Sequence, residues 1–433
     1  MRIAWVTPFS SRSAIARVSA AATQILSERG HAVTIVRSER DASQCGPTLP
    51  TRCAVSWWHE LSVQDLDAQS DVIVLNIGDH YFLHAGVLAY IDAAPCLGIF
   101  HDFYLYDFFN QWVALNGLGE AVHEREVRLT YGESALAVAD RAWRSEAAVH
   151  EIAEVLPMIE WLARRCGAAL AHSRFYVDRL AKSCPGPVSV APLFFDGRRI
   201  ASPTRGEGDE VVITTIGILN PNKCCDAIIA AIAASPALKE QCRYRLVGMI
   251  SPNERARLSA LCEKVGLSRV DFLGEVDDET LTAEIERADI LSCLRKPILE
   301  GASASAIEGM KSGRPIIVAD AGFYSDLPDD LVFKVPKSVE VQALAEVLER
   351  LVSSKTLCRE TSAKAKEWAT KTFSAEAYAT AVEGLIAQFI EVKPLLALGE
   401  RVGRGLAAMD VSEDDPVIGR LAETMQDLFG TAR

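Results

Sequence analysis

The stretch Arg295–Val318, RKPILEGASASAIEGMKSGRPIIV, carries two carboxylates, Glu300 and Glu308, with seven residues between them. In the gap, Gly301, Ala302, Ser303, Ala304 and Ser305 are all small, so a ligand can approach the backbone closely. A small-residue loop that opens a helix leaves backbone N–H groups without partners and presents the positive end of the helix dipole, which suits a diphosphate. Glu308 falls about a turn into that helix, where its carboxylate can accept from vicinal hydroxyls such as those of a ribose. Glu300, ahead of the helix, can take the hydroxyls of a second sugar. The plain alternative is a helix capped by Ser303 with Glu308 as a solvated residue.

His101 follows the apolar run Cys96–Phe100, which places it at the carboxyl end of a buried strand. Competing chemistries find little support. Asp65-Leu66-Asp67 has the D-x-D form of metal-dependent sugar transferases, but it lies in a polar stretch ahead of a strand and reads as a solvated helix, so no metal site is expected. No G-x-G-x-x-G follows the first apolar run, which disfavours a nicotinamide dehydrogenase, and neither a P-loop nor a nucleophile elbow occurs.

The elements that must position these groups have an α/β rhythm. Ile3–Val6, Val33–Val36, Val72–Leu75, Cys96–Phe100, Ala168–Ala171 and Val188–Ala191 are short apolar runs separated by helix-compatible stretches, beginning with Ala14–Glu28. Asn110–Arg165 is a long helix-compatible region whose tryptophans, Trp112, Trp143 and Trp161, read as packing residues. Asp196–Asp209, rich in Gly, Pro and charge, reads as an interdomain linker. A second series of strands follows at Val211–Ile216, Tyr244–Val247, Val270–Leu273, Ile290–Ser292, Pro315–Val318 and Val332–Val335. The expected fold is therefore α/β, with two Rossmann-like domains whose parallel sheets face each other across a cleft. The domains span residues 1–195 and 208–374, and the mainly helical tail of about 375–433 is a candidate to pack back on the first. With 433 residues and 49% apolar composition, both domains have material for a core. The net charge of −13 argues against a nucleic-acid partner, while leaving room for a local basic pocket. Eleven scattered cysteines without a C-x-x-C pair fit neither a disulfide framework nor a zinc ribbon. Arg2 precedes an apolar run too short for a leader, and no run suits a spanning helix, so a cytoplasmic location is expected, with peripheral membrane contact left open.

The Glu300–Ile317 segment, E-G-A-S-A-S-A-I-E-G-M-K-S-G-R-P-I-I, resembles the Glu-x7-Glu signature of the large retaining glycosyltransferase family of the group 1 (family four) type, E-G-F-G-x-x-x-x-E-A-M-A-x-G-x-P-V-I. The resemblance implies the GT-B fold and assigns Glu308 to the nucleotide ribose, the amides of Ser303 and Ala304 to the diphosphate, and Glu300 to the transferred sugar. TIGILNPNKCCDAIIAAI is similar to the family's G-R-L-x-P-x-K-G-x-x-x-L-I-x-A segment, which brings in Gly217 and makes Lys223 the diphosphate cation. Ile218 stands where the family commonly has Arg. FLGEVDDETLTAEIERADILSCL resembles the segment ahead of the Glu-x7-Glu loop; it places Gly274 near the base and Arg295 within reach of phosphate or acceptor, or else on the surface. In the first half, SSRSAIARVSAAA resembles the S-G-I-A-x-Y-S loop of a bacterial branch, with Ala14 in place of Gly, so Ser13 and Ala14 fall on the acceptor side. NIGDHYFLHAGVLAYI and GIFHDF resemble the same branch's N-x-G-x-x-x-x-x-H and L-H-D elements, adding His84, His101 and Asp102. AHSRF, with His172 and Ser173, matches a further element that reads as packing or sheet-end hydrogen bonding.

What this resemblance implies is a retaining hexosyltransferase of surface polysaccharide biosynthesis. Its donor would be a nucleotide-diphosphate sugar of the GDP-mannose or UDP-glucose type, and its acceptor a saccharide or lipid-linked saccharide at the inner membrane face. Catalysis would fall to His101, Glu300 and Lys223, with no cofactor and no metal. Two rivals share the nucleotide cleft: a GT-B sugar-nucleotide epimerase, and a degenerate nucleotide-binding scaffold subunit suggested by Ile218 and Ala14. Oligomeric state is not legible.

Overall fold

The computed structural model describes residues 1–11, 13–195, 210–412 and 415–429. The expected linker, Asp196–Asp209, lies outside the described residues. The first sheet contains β1 (Arg2–Thr7), β2 (Ala32–Arg37), β3 (Ala54–Trp57), β4 (Val72–Ile77), β5 (Leu97–Phe100), β6 (Ala168–Ala171) and β7 (Val188–Val190) in the order β3-β2-β1-β4-β5-β6-β7. The second contains β8 (Val211–Ile216), β9 (Cys242–Val247), β10 (Val270–Gly274), β11 (Ile290–Ser292), β12 (Ile316–Ala319) and β13 (Phe333–Val335) in the order β10-β9-β8-β11-β12-β13. Every pairing is parallel. This is why the central strands read as unbroken apolar runs: β4, VIVLNI, is buried at all six positions because helices cover both faces.

Local signals explain where the covering helices begin. Ser13 caps the helix Ala14–Glu28 by accepting from the Ala16 N–H, and that helix turns Ala16, Val18, Ala22 and Leu26 onto the sheet. Ser303 caps Ala304–Lys311 in the same way through Ala306. The region Asn110–Arg165 is not one element but a series of helices, including Tyr106–Leu115, Glu120–Tyr131, Leu136–Trp143, Val149–Val155 and Ile159–Ala163. Gly119 and Gly132, both at positive φ, break the series. Its tryptophans do pack: Trp161 is fully buried against Phe109 and Trp112.

β3 was not expected. It is an edge strand with no residue fully buried, and it lies in a segment rich in Pro, Thr, Arg and Cys. The tail is helical, as expected: after the helix Ala375–Ala408, a 14-residue helix occupies Pro416–Phe429. Ala375–Ala408 returns to the first domain. Glu383 pairs with Arg29 and His31, Lys393 with Asp67, and Tyr378, Val382 and Phe389 are buried in a core that runs from β1 and β4 to Ala306 and Ile307 of the second domain. The two domains thus share apolar packing as well as chain. Among the described residues no helix is long and apolar enough to cross a membrane, and the eleven cysteines are free thiols.

Candidate active site

In an open parallel sheet, ligands sit beyond the carboxyl ends of the strands at the point where the strand order reverses. That point lies between β1 and β4 in the first sheet and between β8 and β11 in the second. The second holds a cavity of about 320 Å³ lined by Gly217, Lys223, Arg295, Glu300, Ser303–Ser305 and Glu308, with Ile216, Leu281 and Ala302 completing its wall. Residues picked for their chemistry from separate segments of sequence therefore meet around one space.

Lys223 closes a 3₁₀ turn, Pro221–Lys223, after which Cys224 adopts a left-handed conformation. The turn is tied down by Asn222, whose side-chain amide donates to the Pro297 carbonyl at 2.6 Å and whose own carbonyl accepts from Lys296 N–H at 2.9 Å. Lys223 is only 7% exposed and its Nζ donates to Ile216 O at 2.6 Å. Burial, reinforced by the positive charge of Arg295, lowers its pKa from 10.5 to about 8. A lysine held this way is poised for an anion, since a diphosphate would supply the counter-charge that burial removes. Arg295 is not the surface residue that its sequence allowed. It is 7% exposed, with Nε 3.0 Å from Glu300 Oε1, and donates to Leu294 O and Ser305 Oγ. Glu300 Oε1 also accepts from the Tyr324 hydroxyl at 2.9 Å. Two donors on one oxygen fix the carboxylate, while its second oxygen has no protein partner among the described residues. Glu308 is 4% exposed inside the helix that begins at Ala304, so it is no solvated residue.

The reversal point of the first sheet gathers the residues that sequence analysis expects on the acceptor side. A methyl group on Gly78 would lie 2.7 Å from His84 Nε2 and 3.2 Å from Asp102 Oδ2, with Ile15 on its third side, so β4 can end there only in glycine. His84 is buried, with Nδ1 2.8 Å from Asn76 O, and burial lowers its pKa to about 4. Burial raises the carboxyl of Asp102 to about 6, against a hydrogen bond from Asp79 N–H, with Glu300 adding to the rise. Ser13 spends its hydroxyl on the helix cap, and Ala14 opens a second cavity of about 520 Å³ that runs past Arg17, Val18 and Ala21 to Leu49 and Phe194.

One expectation needs correction. The ring of His101 does not offer a nitrogen to a sugar: Nε2 faces Asn76 Oδ1 and Nδ1 faces His172 Nε2, both at 3.0 Å. What His101 gives the cleft is its main chain. Its carbonyl accepts from Gly301 N–H at 3.0 Å, and Asp102 bridges Glu300 as an isolated antiparallel pair. Ser173 Oγ donates to Gly301 O at 2.5 Å, and the N–H groups of Phe103 and Tyr104 converge on Leu299 O. A side chain at position 301 would meet Tyr176 Oη at 2.6 Å, so only glycine lets the loop dock. Tyr324 and this docking were not legible in sequence, and Ser305 and Asn76, though inside the segments quoted above, had no hydrogen-bonding role there. Gly274 ends β10, where its carbonyl accepts from Gly248 N–H. The D-x-D residues stand on the helix Val63–Gln69, where Asp67 pairs with Lys393. Among the described residues no group of three His, Cys, Asp or Glu side chains is placed to hold a metal ion.

Two Rossmann-like domains closed over a switch-point cavity define the GT-B class of fold. Solved structures that share it include a sucrose-phosphate synthase from Thermosynechococcus elongatus, with TM-score 0.57 and 17% identity over 90% of this chain and 100% of that one. HepE from Anabaena, in complex with UDP and glucose, gives TM-score 0.59 and 15% identity over 89% and 99% of the respective chains. WaaG, a glycosyltransferase involved in lipopolysaccharide biosynthesis, gives 0.55 and 14% over 90% and 99%. Residues 198–368, which contain the cavity, match the family Glycosyl transferases group 1. No curated protein matches the chain in sequence.

Proposed function

We propose that the protein is a retaining glycosyltransferase that moves a hexose from a nucleotide-diphosphate sugar to a saccharide or lipid-linked acceptor in bacterial surface polysaccharide biosynthesis. The observation that carries the reading is the single cavity in which Lys223, Arg295, the Ser303–Ala304 helix start, Glu300 and Glu308 converge, inside the region that matches the transferase family. Glu308 takes the ribose, the helix-start amides and Lys223 take the diphosphate, and Glu300, held by Tyr324 and Arg295, takes the sugar hydroxyls. The acceptor hydroxyl oxygen bonds to the anomeric carbon as the bond from that carbon to the β-phosphate oxygen breaks. The two events share one face of the sugar, and the proton passes to the departing phosphate, so configuration is kept without a protein base. Negative charge grows on the leaving group, where Lys223 and the helix start act most strongly in the transition state. In this reading the diphosphate charge is met by side chains and amides, and no metal is needed.

The complexes of HepE with UDP, glucose and UDP-glucose support UDP-glucose over GDP-mannose as donor. The cavity beside Ala14, with Val18, Leu49 and Phe194 on its wall and Arg17 at its side, supports an acceptor with an apolar part. Such an acceptor fits the reading of a cytoplasmic enzyme that works peripherally at the inner membrane. The test is calorimetric titration with UDP, GDP, ADP and TDP, with magnesium and with EDTA, followed by anomer-resolved analysis of sugar transferred from the matching donor. Selective binding of one nucleotide and an acceptor product with the donor's anomeric configuration are expected. Failure of every nucleotide to bind at millimolar concentration would refute the reading.

A further inference from the structure

Behind the cleft floor, a line of hydrogen bonds crosses the carboxyl ends of five strands of the first sheet, β1, β4, β5, β6 and β7. It runs from Val6 O to Asn76 Nδ2 at 3.1 Å, from Asn76 Oδ1 to His101 Nε2 at 3.0 Å, from His101 Nδ1 to His172 Nε2 at 3.0 Å, and from His172 Nδ1 to Ala191 O at 3.0 Å. Both ends of the line are carbonyl oxygens, which only accept. Along it, the amide of Asn76 and two neutral imidazoles supply one hydrogen each, three for four contacts. Turning the amide or exchanging tautomers moves the mismatch without removing it, because each unit still has one donating and one accepting end. One additional proton closes the line.

We propose that His101 and His172 hold that proton between them, as a buried pair with one net positive charge, and that His172 is a positioning residue for the Glu300 loop. Asn76, His101 and His172 are all buried, so an acceptor facing an acceptor here has no water to relieve it. The neighbouring groups are known from every side. Tyr176 supplies no hydrogen to the rings, since its hydroxyl donates to Phe100 O and accepts from His172 N–H. The ring of Tyr378, from the C-terminal helix, lies 5.8 Å from that of His172. His84 shares Asn76 with the pair, through the Asn76 carbonyl. Asp102 follows His101 in the chain and its backbone bridges Glu300 across the domain boundary. Burial pulls the other way, lowering His172 to about 4 against the hydrogen bond to Ala191 O, and lowering His101 well below its ordinary value with the charges of His172 and His84 adding to the effect. The line of acceptors offsets that burial. A charge fixed beside Asp102 and behind the Gly301 contact favours the ionised carboxylates that hold the sugar, a consequence that rests on the transferase reading, whereas the protonation does not.

The experiment is long-range proton–nitrogen NMR of the full chain, labelled at its eight histidines, from pH 5 to pH 9. At pH 7 the two rings are expected to carry three N–H hydrogens between them, and His172→Leu, which leaves a neutral His101 still able to donate from Nε2 to Asn76 Oδ1, is expected to remove that signature. One bare nitrogen on each ring at pH 7 overturns the proposal. Calorimetry gives a second reading independent of assignment. A free histidine titrates near ~6.5, so a pair that stays protonated above it makes the wild type lose melting temperature relative to His172→Leu as the pH rises past that point. Relative loss on acidification instead overturns the proposal. In turnover, kcat of the wild type should fall about tenfold per pH unit beyond the pair's titration, with KM for the donor unchanged. Because ring protonation is read without substrate, inactivity toward every donor would count against the transferase reading alone.

Discussion

Lys223→Met separates what the buried cation costs the fold from what it gives the ligand. Its pKa, lowered from 10.5 to about 8, means that the folded protein carries this charge at a disadvantage. The unfolded chain binds the proton more readily between those values, so the group's contribution to stability rises with pH from about 8 to 10.5, and its full penalty is present below pH 8. A shift of that size corresponds to about 3 kcal/mol. Methionine removes the penalty along with the hydrogen bond to Ile216 O, worth about 1 kcal/mol. The variant should therefore be more stable than wild type at pH 7 by about 2 kcal/mol, a rise of about 4–8 °C in the melting temperature of a domain this size. With ligand the sign reverses. A lost charge-assisted hydrogen bond costs about 1.5–3 kcal/mol, or about 10–150-fold in Kd for the cognate nucleoside diphosphate, with little change for the nucleoside. Wild-type affinity should also decline above pH 8 while that of the variant stays level. Calorimetry of apo and ligand-saturated protein reads both effects. An apo variant that melts at or below the wild type, or that binds the diphosphate as tightly, refutes the assignment.

Glu308→Ala should weaken nucleoside diphosphate binding about tenfold or more while leaving pyrophosphate binding unchanged, as titration calorimetry would show. Tyr324→Phe removes one of the two donors on Glu300 Oε1 and should lower kcat/KM about fivefold, the equivalent of ~1 kcal/mol, with nucleotide affinity intact. Gly301→Ala would put a methyl group 2.6 Å from Tyr176 Oη and 2.7 Å from His101 O; it should reduce kcat at least about tenfold and expand the molecule in small-angle scattering by undocking the loop. Asp102, with its carboxyl raised to about 6, is a penalty to the fold that is absent at low pH and complete above pH 6. Asp102→Asn should accordingly raise the melting temperature more at pH 7.5 than at pH 5, and slow transfer without affecting donor binding.

The fold was legible because parallel strands covered on both faces have to be apolar throughout, as in β4 and β8. β3 escaped because an edge strand needs no such run, and its half-exposed Ala-Val-Ser-Trp looks like loop. That Glu300, Ser303 and Glu308 line one cavity could be read from residue type and spacing, because the groups lie on one segment. Burial could not. That Arg295 turns inward onto Glu300, and that Glu308 is enclosed, depends on β8, β11 and Tyr324 closing around them. His101 shows the same limit more sharply. Its position at the end of β5 followed from the strand, yet its ring partners, Asn76 and His172, come from other strands, and they turn a candidate sugar contact into part of the floor.

The Glu300 loop is held from both sides, and this links binding to chemistry. Toward the second domain, Arg295 and Tyr324 fix its carboxylate. Toward the first, Phe103, Tyr104, His101 and Ser173 fix its backbone on either side of that carboxylate, and Arg174 N–H reaches Asp326. If Glu300 holds a sugar hydroxyl, as proposed, that hydroxyl would stand in a fixed relation to Asp102 only while the domains are docked; parting them would release that relation but leave Lys223 and Glu308, which belong to the second domain, able to keep a nucleotide. On the proposed transferase reading, such a division would let donor bind with the domains parted and be activated only when they are docked, with water excluded and the acceptor in place. The helix Ala375–Ala408, packed in the core common to both domains, limits how far they can part.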